Sequence, residues 1–113
     1  MLPLKNRLKN KKDFDAVFKK GKKAEGAFLF LKAIKNNLNE SRFGFVVSQK
    51  VNKKAVARNR IKRKLREIAK TERIVVKEPR DIVVLVKKDI SQKKIQEIKP
   101  ELVRLLEKIN KLD

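Results

Sequence analysis

Residues 57–67 constrain the fold of this chain more than any other segment, because six of these eleven residues are cations. The sequence is ARNRIKRKLRE, and its cations are Arg58, Arg60, Lys62, Arg63, Lys64 and Arg66. Wound at about 100° per residue, the segment also carries an apolar stripe roughly 80° wide, formed by Ala57, Ile61, Leu65 and Ile68. Residues 53–70 are therefore predicted to form a helix that buries this narrow stripe and leaves its cations outside.

Half of the net positive charge is concentrated around this predicted helix. Residues 42–73 hold twelve Lys or Arg and two acids, out of a net charge of +20 for 113 residues, whereas residues 95–113 hold four cations and four anions. Solvated faces usually mix the two signs. Phosphates would relieve the repulsion through counterion release and bidentate guanidinium contacts. Nucleic acid is thus the predicted partner, with an anionic membrane surface as the second candidate.

The composition argues against catalysis by the protein alone. The chain has no histidine and no cysteine, so it lacks the commonest general base and the best nucleophile. Glycine-rich phosphate loops, zinc spacings and the carboxylate clusters of metal-dependent nucleases are also missing. No apolar run is long enough to cross a bilayer, and no secretory signal precedes the first helix. A cytoplasmic protein without catalytic residues of its own is the expectation.

Elsewhere the pattern predicts short helices and strands in a single α+β domain spanning residues 1–113. Residues 13–20 are predicted to form a helix capped by Asp13 and closed by Gly21. The β-rich runs 27–34 and 42–48 are predicted to form an antiparallel hairpin, and a short strand at 22–25 is a further possibility.

Beyond the basic helix, residues 81–86 are predicted to form a buried strand. The tail from Ser91 has helical spacing that Pro100 interrupts. This helix either kinks at Pro100 or ends near Ile98 and restarts, and the second alternative is favoured.

The only aromatic residues are six phenylalanines. Phe14 and Phe18 share one face of the first predicted helix, and together with Phe28 or Phe43 they could form a stacking surface for unpaired bases. Packing in the core is the alternative for each ring. Since residues 27–34 are apolar on both sides, either both sheet faces are covered or one exposes an aromatic platform.

These segments resemble the bacterial ribonuclease P protein family. KKAVARNRIKRKLRE at residues 53–67 resembles its RNR signature, and LKNKKDFDAVFKKGK at 8–22 its opening helix. RFGFVVSQKV at 42–51 and RDIVVLVKK at 80–88 resemble two of its strands. The resemblance implies an α-β-β-β-α-β-α sandwich whose small mixed sheet contains a left-handed β-α-β crossover, against the usual right-handed rule.

The resemblance also implies a function. The protein would be a monomeric subunit, in a 1:1 complex with a catalytic RNA, of the endoribonuclease that removes the 5′ leader from precursor tRNA. Mg²⁺ would be the cofactor of the RNA subunit, and no metal is assigned to the protein.

Site residues follow from the same resemblance. The catalytic RNA would be bound by Lys53, Lys54, Arg58, Asn59, Arg60, Lys62, Arg63 and Arg66. The leader would be bound by Phe14, Phe18, Phe28, Ser48 and Lys50. The sequence departs from the family pattern at Leu31, where an aromatic residue is frequent, and at Gln49, where a lysine is common.

Three other functions are compatible with some of the same sequence features. A ribosomal or RNA-chaperone protein would bind RNA with the same salt dependence. A DNA-binding protein could place the basic helix in the major groove, although the preceding strands argue against a helix-turn-helix. A membrane-active helix is least compatible, because the core needs its narrow apolar stripe.

Overall fold

The structure, a computed structural model, describes residues 2–111. Within them, three α-helices and four strands follow one another in the predicted α-β-β-β-α-β-α order. The helices are α1 (Lys11–Lys20), α2 (Ala55–Glu72) and α3 (Ile95–Ile109), and the strands are β1 (Lys22–Glu25), β2 (Leu29–Lys35), β3 (Arg42–Val46) and β4 (Arg80–Val86). Short 3₁₀ turns at Leu4–Asn6 and Arg73–Val75 come before α1 and after α2.

The four strands form one mixed sheet in the order β1-β2-β4-β3. β4 is antiparallel to β2 and parallel to β3, so Val84 lies between Leu31 and Phe45. The predicted hairpin of residues 27–34 and 42–48 is therefore wrong, because β4 separates the two strands. The short strand at 22–25 is confirmed as β1, whereas the left-handed crossover through α2 stays a prediction.

One face of the sheet, here the α2/α3 face, is covered by α2 and α3 and holds the main core. Leu29 and Leu31 of β2, Val84 of β4 and Phe43 of β3 are buried there against the apolar sides of both helices. The predicted stripe of α2 is part of this core, since its four members are buried. At roughly 25 cal/mol per Å² of apolar area, this burial is the main stabilisation available to so charged a chain.

The opposite side of the sheet, here the α1 face, is only partly covered. Val17 of α1 packs on Val83 of β4 with Leu8, and the half-buried Phe14, Ile34, Val46 and Leu85 surround them. This second cluster is small, because α1 has one fully buried residue. Both alternatives of the sequence analysis thus hold in part: each face is covered, but the α1 face leaves apolar side chains half-exposed.

Two helix ends differ from the sequence prediction. α1 begins at Lys11 with Asn10 as its N-cap residue, so Asp13 lies in the first turn and is not the cap.

α3 runs without a break through Pro100, which makes the favoured split near Ile98 wrong. The proline removes the hydrogen bond to the carbonyl of Gln96. Both residues are exposed, so water can replace that bond, while Ile98 and Leu102 stay buried on the other side.

A buried carboxylate joins α3 to the start of β2. Glu101 Oε1 accepts a hydrogen bond from the backbone N–H of Ala27 at 2.9 Å, and Oε2 accepts from Phe28 at 3.0 Å and Leu29 at 2.8 Å. A Cβ on Gly26 would lie 2.6 Å from Glu101 Cδ, so only glycine leaves room for this approach. The sequence alone gave no indication of this contact.

Candidate nucleic-acid interface

The cations of α2 face away from the core. Ala57, Ile61 and Leu65 point into the sheet, so the residues between them turn outward by the helical period. The exposed members of the predicted RNA-binding set are Lys53, Lys54, Asn59, Arg60 and Arg63, and its half-buried members are Arg58, Lys62 and Arg66. The structure thus brings all eight together along one helix and the turn before it.

The ion pairs between described residues lie away from this surface. Among residues 2–111, the ion pairs join Lys5–Glu40, Lys35–Glu78, Arg42–Asp13, Arg42–Asp81, Lys87–Glu25, Lys99–Glu72 and Arg104–Glu101. None of these pairs contains a cation of the predicted RNA-binding set. The charges therefore remain available to an external polyanion.

Two cations of α2 contact backbone carbonyls of the protein. Arg58 Nη1 donates to the carbonyls of Asn52 at 2.9 Å and Lys53 at 2.8 Å, which ties the helix to the loop before it. Both bonds use one guanidinium nitrogen out of three. Lys64 Nζ donates to the carbonyls of Ser91 at 2.8 Å and Lys93 at 2.6 Å. Lys64 was not assigned to RNA, and its ammonium holds the loop before α3.

Beside α1, the α1 face leaves a strip of half-buried apolar side chains, here called the cleft. Phe14 and Phe18 lie on α1 with half-buried and exposed rings, and Lys32 Nζ donates to the carbonyl of Phe18 at 2.8 Å. The half-buried side chains of Val46 and Leu85 line the floor. Partly exposed rings over an apolar floor can stack on unpaired bases.

Close packing on glycine fixes the position of Phe14. A Cβ on Gly44 would lie 2.4 Å from Phe14 Cζ, so the ring rests directly on the backbone of β3. Any larger residue at position 44 would push α1 away from the sheet and alter the cleft.

A partly buried ion-pair network, centred on the buried Asp81, holds the N-terminal turn of α1 at the same place. Arg42 donates to both carboxylate oxygens of Asp81, at 2.9 and 2.7 Å, and lies 3.3 Å from Asp13 Oδ2 on α1. Asn36 Nδ2 donates to the same Asp81 at 2.9 Å. The hydrogen bonds from Arg42 to Asp81 raise the pKa of the Arg42 guanidinium. Asp13, expected to be a cap, instead links α1 to β3.

The other three predicted leader residues, Phe28, Ser48 and Lys50, lie apart from Phe14 and Phe18. Phe28 packs against the main core, whereas Phe14 belongs to the second cluster, on the α1 face. Lys93 Nζ lies 5.5 Å from the centroid of the Phe28 ring. Ser48 and Lys50 are exposed in the turn that follows β3. Because Val46 pairs with Leu85, this turn lies at the end of the sheet where the floor of the cleft is half-exposed.

Sequence reasoning missed Phe30 as a candidate for base stacking. Leu31, at the position where the family pattern often has an aromatic, is fully buried on the α2/α3 face. Its neighbour Phe30 lies half-buried on the α1 face, paired with Glu25 and Leu85 and outside both apolar clusters of the described chain. Strict alternation along β2, counted from Leu29 as a core residue, would have identified it.

Metal ligands do not converge on this interface. In the part of the chain that the structure describes, no group of three or more His, Cys, Asp or Glu side chains could hold a metal ion. Of the helices in that part, none is long and apolar enough to cross a membrane.

Comparison with known proteins identifies the family. The family model described as Ribonuclease P matches residues 2–110. The ribonuclease P protein component of a Pseudanabaena species is 41% identical over 109 residues, which cover 96% of this chain and 94% of that protein. That of Syntrophomonas wolfei is 34% identical over 108 residues, covering 96% and 90%.

Solved structures give the same result. The RNase P protein from Thermotoga maritima superimposes with a TM-score of 0.81 at 33% identity, covering 90% of this chain and 96% of that one. The Staphylococcus aureus RNase P protein superimposes with a TM-score of 0.79 at 28% identity, covering 89% and 92%.

Proposed function

The chain belongs to the ribonuclease P protein family, and from that premise we propose how it serves the enzyme. It is the protein component of a ribonucleoprotein endoribonuclease that processes tRNA, and its partners are the ribonuclease P RNA and the tRNA substrate. We propose that residues 1–113 act as one RNA-binding domain, as a monomer bound to one RNA in the cytoplasm. The eight residues of the predicted RNA-binding set, here called the α2 surface, and the cleft have separate roles in this proposal.

The α2 surface binds the catalytic RNA. The eight residues of the predicted set lie along α2 and the turn before it, and none of the seven ion pairs given above contains one of them. Each phosphate contact releases counterions from the RNA, so assembly gains affinity at low salt. This unneutralised surface is the observation on which the proposal mainly rests.

The cleft binds the single-stranded 5′ leader of precursor tRNA. Phe14 and Phe18 stack on unpaired bases, while Ser48 and Lys50 hold the backbone where the cleft opens. Stacking of this kind is worth about 1–3 kcal/mol per base and tolerates different bases. Phe28 stays a predicted leader contact, although its packing against the main core argues for a structural role.

We assign the chemistry to the RNA subunit, with Mg²⁺ as its cofactor. Mg²⁺ bound by the RNA would supply charge stabilisation for phosphodiester cleavage. The protein's residues contribute by screening phosphate repulsion and by holding the leader. No step is assigned to an ion bound by the described residues, which contain no converging ligands.

Reconstitution with a bacterial ribonuclease P RNA tests the whole proposal. Adding the protein should lower the Mg²⁺ concentration required for half-maximal cleavage of precursor tRNA, because its cations replace part of the counterion atmosphere. No change at any ionic strength would contradict it. Preference for precursor over mature tRNA, seen only with the catalytic RNA present, separates this function from that of a general RNA-binding protein.

Phe14→Ala tests the role of the cleft. Loss of stacking should weaken binding of precursor tRNA to the holoenzyme by about tenfold, with assembly of protein and catalytic RNA unchanged. Phe28→Ala is the matched comparison, because it removes a half-buried ring that packs against the main core, and it should weaken precursor binding less than Phe14→Ala. Equal losses of assembly and of precursor binding for Phe14→Ala would contradict the assignment.

A further inference from the structure

The outer side of β3 is only partly covered by the N-terminal segment. Arg7 forms a single parallel bridge with Phe43, and Leu8 N donates to the carbonyl of Phe43 at 2.8 Å. Backbone groups of a strand point alternately to its two sides, so the N–H and C=O of Phe45 also point outward, away from β4. The chain turns into α1 after Lys9, and no backbone group of residues 2–111 pairs with Phe45 on this side.

A pocket enclosing about 320 Å³ lies at this edge. Its apolar walls are Leu8, Phe14, Phe43, Gly44 and Phe45, and its cations are Arg7, Lys9 and Arg66. A nucleobase needs flat apolar walls for its faces and hydrogen-bonding groups for its edge. The ring of Phe14, on the α1 face, supplies one flat wall, and the pair of stacked rings Phe43 and Phe45, on the α2/α3 face, borders the pocket from the other side of the edge. The outward backbone groups of Phe45 supply the hydrogen-bonding groups.

A second pocket, enclosing about 310 Å³, adjoins the first and shares Arg7 and Arg66 with it. Arg63 and Glu67 also line it, so the described part of its wall has three guanidinium groups and one carboxylate. Arg7 Nε donates to the carbonyl of Leu2 at 2.8 Å, which restricts the orientation of its side chain. A guanidinium group held in this way is suited to bidentate contact with phosphate.

We propose that the two pockets together bind one unpaired nucleotide of the precursor tRNA leader. The base enters the pocket at the β3 edge, and its phosphate lies among Arg7, Arg63 and Arg66. The inference rests on the proposed function, and it gives Arg7, Lys9 and Phe45 a role that the RNR signature does not. It also places Arg66 on the path of the leader as well as on the α2 surface.

The leader is a better occupant than the catalytic RNA or a peptide strand. The base pocket is walled by Phe14, whose ring also borders the cleft, so a strand that passes along this ring reaches the pocket directly. Leader nucleotides are single-stranded and can turn a base outward. A peptide could pair with the edge of β3, but the surrounding Arg7, Lys9, Arg63 and Arg66 favour a polyanion.

Charge reversal at the mouth of the pocket gives the first test. Lys9→Glu should weaken holoenzyme binding of precursor tRNA by about tenfold, and leave mature tRNA binding and assembly with the catalytic RNA within about twofold. Lys77→Glu is the matched control, since it makes the same charge change at an exposed lysine outside both pockets. It should stay within about twofold in all three measurements.

An abasic scan of the leader gives the second test, using Arg66→Gln. For the wild type, removing the base at one leader position should weaken binding by about fivefold, whereas other positions change little. Arg66→Gln should reduce that effect to below about twofold, because base and phosphate are held together.

The contrary outcomes are distinct. Equal loss of precursor and mature tRNA binding by Lys9→Glu, or a flat abasic scan, would overturn the nucleotide site while leaving the proposed function intact. A wild-type holoenzyme that does not prefer precursor tRNA would instead overturn the proposed function.

Discussion

The two faces of the sheet are built from the same four strands but differ in how completely they are covered. On the α2/α3 face, alternate residues of β2 and β4 are fully buried by two long helices. On the α1 face, a ten-residue helix buries Val17 and Val83 and leaves Phe14, Val46 and Leu85 half-exposed. The difference teaches that stability and binding are divided by strand parity, so neighbouring residues can have opposite roles.

The largest effect expected from this comparison is a difference between Leu31 and Phe30. Leu31→Ala removes a fully buried side chain from the α2/α3 face and should lower the free energy of unfolding by about 2–5 kcal/mol. Phe30→Ala should cost clearly less stability, because the ring lies outside both apolar clusters, but it should weaken precursor binding. Urea unfolding and holoenzyme titrations measure the two effects. Similar unfolding losses for both variants would contradict the division between the faces.

Glu101→Gln tests how the α2/α3 face holds the start of β2. The amide has one acceptor oxygen for three N–H donors and turns its own NH₂ toward at least one of them. The free energy of unfolding should fall by about 2 kcal/mol. Glu107→Gln, at an exposed position of the same helix, should stay within about 0.5 kcal/mol. Equal effects would mean that the contact to residues 27–29 contributes little.

Variants of Arg58 and Arg60 separate residues of α2 that only bind RNA from those that also stabilise the fold. Arg60→Ala should weaken assembly with the catalytic RNA by about fivefold and leave unfolding unchanged. Arg58→Ala should also destabilise the protein by about 1 kcal/mol, because its bonds to Asn52 and Lys53 are lost. Removal of both arginines is therefore not expected to be neutral for folding. Identical unfolding curves for the two single variants would contradict the role of Arg58.

The smallest effect expected is a pH dependence at Asp89, beside the turn before α2. The backbone N–H of Ser91 and the side chain of Asn52 hold the pKa of Asp89 below its ordinary value of 3.8. Because the folded-state pKa is lowered, the stabilisation is complete above pH 3.8 and is lost as pH falls through the lower folded-state value. Asp89→Asn should therefore flatten the acid limb of the stability curve. An unchanged acid limb would show that these bonds do not favour the charged form.

The α2 stripe and the element order could be predicted because both depend on local periodicity. The sheet order could not, since the apolar runs 27–34 and 42–48 do not indicate which strand lies beside them. β4 takes the central position because it is buried along nearly its whole length, and its unbroken apolar run was the available signal. The predicted split of α3 at Pro100 was wrong, because the packing of Ile98 and Leu102 in the core outweighs the loss of one backbone hydrogen bond.

The candidate site was predictable to a similar extent. Residues on one helix, from Arg58 to Arg66, share a surface by periodicity alone. The cleft combines α1, β2, β3 and β4, so sequence spacing could not place Phe28 away from Phe14 or reveal Arg42 as the link between Asp13 and Asp81. Such relations depend on strand neighbours, which only the assembled sheet defines.

The insertion of β4 between β2 and β3 has a consequence for synthesis on the ribosome. The central strand is made after the strands on both sides of it and after the basic helix, so β2 and β3 cannot be joined into one sheet until residue 86 has emerged. Pairings between such distant segments are slow to form. During that interval the unneutralised arginines are carried by an incomplete polypeptide next to ribosomal RNA. We expect early capture by its own RNA partner to protect the nascent protein from non-productive adsorption.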